Sequence, residues 1–148
     1  MIAAIIEHDQ EAGREFFADI GNATQPAWDE RSASMRDFLA LWDTHGAVLE
    51  QTVFPRVSAA IGRADLVDAL RDQQRRVVEL AGDLARRATG HDADGRWLTD
   101  FESLKGLFDA QCLREGAELI PLLRDRMPPS DVAEMTRQAR TLRQVRGR

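Results

Sequence analysis

The chain has 148 residues, 43% hydrophobic and 30% charged, enough for one domain that buries about 68% of its unfolded surface without a disulfide or metal to hold it. A single cysteine, Cys112, excludes an internal disulfide framework and any CxxC centre, and 20 Lys+Arg against 25 Asp+Glu (net −5) argue against a general nucleic-acid binder. The opening Met1-Ile-Ala-Ala-Ile-Ile runs straight into Glu7, His8 and Asp9 without a basic leader, and no run nears the ~18 apolar residues of a membrane span, so a cytoplasmic protein is expected.

Ala, Leu, Arg, Asp and Glu dominate and Tyr is absent, which is a helix-forming alphabet. Punctuation predicts five helical stretches. The first, residues 2–20, ends at Gly21-Asn22, a pair that tolerates positive φ. Thr24, Gln25 and Pro26 read as the entry to the second, which runs from about Trp28 to Ile61 and stops at Gly62. The third covers residues 65–88, before a turn-rich loop at 90–95. The fourth runs from Trp97 to Met127 and is broken by Pro128-Pro129. The fifth, about residues 130–145, starts at Ser130 as N-cap, with Asp131 suited to the helix dipole.

The apolar positions step by three and four throughout, as in Phe38-Trp42-His45-Leu49 and Phe101-Leu104-Phe108-Gln111-Glu115. Short connections favour an all-α, up-down-up-down antiparallel four-helix bundle with a short fifth C-terminal helix, spanning residues 1–148 as a single domain. Pro55 and Pro121 lie inside helical patterns and should kink or loosen them near their ends.

Polar residues interrupt the apolar stripes at His45, Gln74, Gln111 and Glu115, and His8 shares a face with Ala4, Ile5 and Ala12. Gln74 lies fourteen residues before Ala88 and Gln111 fourteen after Trp97, so the two should be level; His8 and His45 agree with that height within about two turns. A buried carboxylate or imidazole needs a partner, so one polar layer of His8, His45, Gln74, Gln111 and Glu115 is expected.

The run from His45 through Leu49 and Glu50 to Phe54-Pro55 resembles the cation-binding motif of the hemerythrin-like HHE family. Gln111 through Glu115 to Ile120-Pro121 resembles a second copy with the same spacing. His8 matches the family's first-helix ligand, Gln74 falls where the third helix usually supplies a His, and Pro128 to Glu134 resembles the helix that follows the bundle. The resemblance implies a hemerythrin-like bundle. A full member holds two irons through His on each of four helices and a bridging carboxylate from each of the second and fourth. Here His8, His45 and Glu115 keep that pattern; Gln74 and Gln111 replace imidazoles and Leu49 replaces the first bridging Glu. Glu50 is adjacent, but one residue turns it about 100° off the stripe. An intact diiron centre is therefore not expected, because a neutral amide is a poor iron ligand.

Two readings stay open. The layer is a metal-free polar core in which Glu115 accepts hydrogen bonds, and the domain is a binding or regulatory module. Alternatively His8, His45 and Glu115 hold a single Fe or Zn ion, with Gln74 and Gln111 behind them, for sensing or binding a small molecule or ion. Cys112 reads as a small buried hydrophobe and His91 as a residue of a solvated acidic loop beside Asp92 and Asp94. No nucleophile elbow or phosphate loop is evident, which leans away from an enzyme. The tail carries Arg137, Arg140, Arg143, Arg146 and Arg148; it either folds back on the acidic body or offers a docking strip to an acidic partner. A protein partner or homodimer is expected in preference to nucleic acid or membrane.

Overall fold

The computed structural model describes residues 1–21, 27–91 and 95–146. The expected helix entry at Thr24, Gln25 and Pro26, the loop acids Asp92 and Asp94, and Arg148 lie outside the described residues. Five helices form. We label them α1 (Ile2–Gly21), α2 (residues 28–61), α3 (Ala64–Ala88), α4 (residues 97–125) and α5 (Pro129–Val145).

Two apolar clusters establish the topology. One joins Ile2 and Ile6 at the start of α1 to Val53 and Val57 late in α2, Leu66 and Leu70 early in α3, and Leu119 and Leu123 late in α4. The other joins Phe17 and Ile20 at the end of α1 to Met35 and Phe38 early in α2, Ala81 and Leu84 late in α3, and Trp97 and Phe101 early in α4. Successive helices therefore run in opposite directions, the expected up-down-up-down bundle. The second cluster is aromatic: Phe17, Phe38 and Phe108 pack with centroids 5.0 and 5.6 Å apart. Gly13 makes room for them, since a Cβ there would lie 2.6 Å from Phe108 Cζ.

The two internal prolines produce widened turns instead of sharp kinks. In α2 a π turn, Leu49–Val53, leads into Phe54-Pro55; in α4 a π turn, Glu115–Leu119, leads into Ile120-Pro121. In each, the residue before the proline donates its N–H five residues back, Phe54 to the Leu49 carbonyl and Ile120 to the Glu115 carbonyl. Proline has no N–H for the regular ladder, and the wider turn accommodates its ring. A further π turn, Val57–Ile61, ends α2 at Gly62, whose φ of 77° is the left-handed conformation that glycine adopts without penalty.

Helix α5 begins one residue earlier than its predicted cap. Pro128 precedes the helix and Pro129 occupies its first turn, so Ser130 is inside and not the N-cap. Proline's fixed φ and missing N–H suit that first position. The helix buries Val132, Met135 and Ala139 against the cluster that contains Ile2 and Leu49, and so lies across α1 and α2.

Candidate functional site: a buried polar layer

The two apolar clusters are separated by polar side chains, one or more from each bundle helix. His45 and Trp42 come from α2, Gln74 from α3, Gln111 and Glu115 from α4, and Asp9 and Gln10 from α1. His45, Gln111, Glu115 and Asp9 are each no more than 2% exposed. At this depth every polar atom needs a partner, because an unmet one costs about 1–3 kcal/mol.

His45 is central. Its Nδ1 lies 2.9 Å from Asp9 Oδ2 and its Nε2 lies 2.9 Å from Glu115 Oε2. A neutral imidazole has one donor and one acceptor, so donation toward a carboxylate from both nitrogens calls for imidazolium. Burial alone would lower the His45 pKa, but the Glu115 charge, with the hydrogen bonds to Asp9 and Glu115, outweighs it and raises the value to about 9. The ring stacks on Trp42 with centroids 4.1 Å apart, where the indole face favours a cation.

Amides complete the layer. Gln10 Nε2 donates to Glu115 Oε1 at 2.9 Å, and Gln111 Nε2 to Glu115 Oε2 at 3.0 Å. Gln111 Nε2 also donates to Gln74 Oε1 at 2.7 Å, while Gln111 Oε1 accepts from Trp42 Nε1 at 3.0 Å. Gln74 closes the circuit by donating to the Trp42 backbone carbonyl at 2.7 Å, passing over Gly46, where a Cβ would stand 2.4 Å from Gln74 Nε2. From α5, Arg143 Nη2 reaches 2.8 Å from Asp9 Oδ1, an ion contact without an aligned hydrogen bond. Two carboxylates thus face two cations, His45 and Arg143.

His45, Gln74, Gln111 and Glu115 meet as their spacing predicted. His8 does not: it is exposed, and its neighbours Asp9 and Gln10 take the inward positions. The reason is the register of α1. The stripe Ile2-Ile6-Asp9-Gly13-Phe17-Ile20 carries more apolar bulk than Ala4-Ile5-Ala12, so hydrophobic burial turns His8 outward. The same stripe could have singled out Asp9 as the polar interruption. Arg143 left no such signal, since its placement depends on how α5 crosses the bundle.

Leu49 is fully buried in the apolar cluster, whereas Glu50 points to the flank and binds Arg71 through both oxygens at 2.9 and 2.7 Å. Cys112 is free and buried, and burial, then the Glu115 charge, push its thiol up, away from reactivity. His91 is exposed. Among the described residues, no group of three or more His, Cys, Asp or Glu side chains is arranged to hold a metal ion, and no helix is long and apolar enough to cross a membrane. On the tail, Arg137 pairs with Glu134 on its own helix, while Arg143 and Arg146 fold back, Arg146 onto Asp43.

No curated protein and no solved structure matches the chain. Residues 1–123 match the family model described as the hemerythrin HHE cation-binding domain, a span that ends before α5. With the bundle, the Pro-ended π turns and His45 and Glu115 at their motif positions, the chain belongs to the hemerythrin HHE cation-binding domain family.

Proposed function

We propose that this domain works as a binding or regulatory module in which internal cations stand where its relatives' motif calls for metal, without diiron oxygen carriage. One observation carries the reading: both ring nitrogens of His45 are engaged, Nδ1 by Asp9 and Nε2 by Glu115, so an ion would have to displace the proton held between His45 and Glu115. The remaining donors fit a metal poorly. Glu115 already accepts from His45, Gln10 and Gln111; Leu49 supplies no carboxylate; His8 faces outward. The imidazolium and the Arg143 guanidinium together balance Asp9 and Glu115, so the buried charge is neutral without any added ion.

Metal content tests this directly. Protein purified from iron- and zinc-supplemented cells should carry far less than one ion per chain, and added Fe(II) or Zn(II) should leave the melting temperature unchanged. Near one ion per chain, lost in His45→Ala, would replace this reading with a mononuclear site at His45 and Glu115. Two irons with an oxo-bridge absorption would overturn both.

A further inference from the structure

Two depressions meet along α5. The larger, about 750 Å³, is lined by Met1, Pro129, Val132 and Ala133 and bordered by Arg137, Arg140 and Gln144. The other, about 570 Å³, lies between Ala4, Ile5 and His8 of α1 and the same Arg140 and Gln144. These volumes fall in the range of small-molecule sites, about 300–1,000 Å³. Met1, Arg140 and Gln144 line both, so they stand at the junction.

The arginines around this groove are not equivalent. Arg124 is paired with Glu7, Arg137 with Glu134 and Arg143 with Asp9. Arg140 is exposed and, among the described residues, forms no ion pair. A single unneutralised guanidinium beside an apolar trough selects a ligand with one negative charge and an apolar body. Between Arg140 and Val132, eight residues of helix span about 12 Å, which suits an alkyl chain of medium length. A polyanion fits less well, because Arg124 and Arg137 on the same rim are already paired with Glu7 and Glu134.

We propose that this groove binds a free single-chain carboxylic acid, with its carboxylate on Arg140 and Gln144 and its chain against Met1, Pro129, Val132 and Ala133. Most of the groove comes from residues beyond 123, where the family match ends, and it touches the polar layer through Arg143, which pairs with Asp9.

Calorimetric titration of the full chain with laurate, below its micelle concentration, tests the proposal. One laurate per chain should bind. Arg140→Glu should weaken it at least about tenfold, the loss of a charge-assisted hydrogen bond, while leaving weaker binding of the neutral dodecanol unchanged. Ala133→Trp, at an exposed position on the trough wall, should weaken both ligands about tenfold by bulk while preserving the melting temperature. No laurate binding, binding indifferent to either substitution, or association only with anionic phospholipid vesicles would overturn the proposal.

Discussion

The two Pro-ended motifs share a backbone and divide the chemistry. In α2 the sequence from His45 to Pro55 supplies an imidazole but places Leu49 where the π turn opens; in α4 the sequence from Gln111 to Pro121 supplies Glu115 at the equivalent place but an amide before it. Each motif lacks what the other retains, and the two remnants close on one another as a single His45–Glu115 ion pair. The comparison teaches that the widened turn does not depend on the ligands it presents. Pro55 and Pro121 impose it locally, and its inward-facing residue can be leucine in an apolar cluster or glutamate in a polar layer.

The largest difference between the motifs should appear when their leading residues are made apolar. His45→Leu leaves Asp9 and Glu115 buried with Arg143 alone to oppose them, and should cost about 3–5 kcal/mol in urea unfolding. A loss below about 1 kcal/mol would mean that the layer is neutral and the ion pair unimportant.

The His45 charge also gives a pH dependence. Its folded pKa of about 9 exceeds the unfolded value, so the stabilisation is complete below about pH 6.5 and lost as pH rises through about 9. The total is on the order of 3 kcal/mol, and melting curves between pH 6 and 10 should show the decline in wild type but not in His45→Leu.

Gln111→Leu, the matching change in the second motif, should cost less, about 1–3 kcal/mol, because it strands the Trp42 N–H and the Gln74 side-chain carbonyl while Glu115, which loses one donor, keeps His45 and Gln10. A loss equal to that of His45→Leu would erase the distinction between the motifs. Arg143→Ala should cost a similar amount, about 1–3 kcal/mol, since it leaves the buried Asp9 Oδ1 without a partner. Hydrogen exchange should then quicken in α5 more than in α2 or α4.

Much of this architecture is legible in the sequence. The three-and-four spacing of Phe38, Trp42, Leu70, Val77, Phe101 and Phe108 specified the bundle, and the equal offsets of Gln74 and Gln111 from the helix ends set them level. Helix α1 departs from the expected register because the apolar bulk of Ile2, Ile6, Phe17 and Ile20, and not the chemistry of His8, decides the rotation of the helix. The π turns were visible only as two prolines, since sequence periodicity does not distinguish a kink from a widened turn. Arg143 was beyond reach because no local pattern tells where a fifth helix will cross.

Trp42 has a face-to-face neighbour in His45 and an indole N–H held by Gln111. An excited indole passes electrons readily to an imidazolium pressed against it and poorly to the neutral ring. The fold has therefore wired a fluorophore to its own buried proton, and light emitted by this one side chain should brighten as that proton leaves.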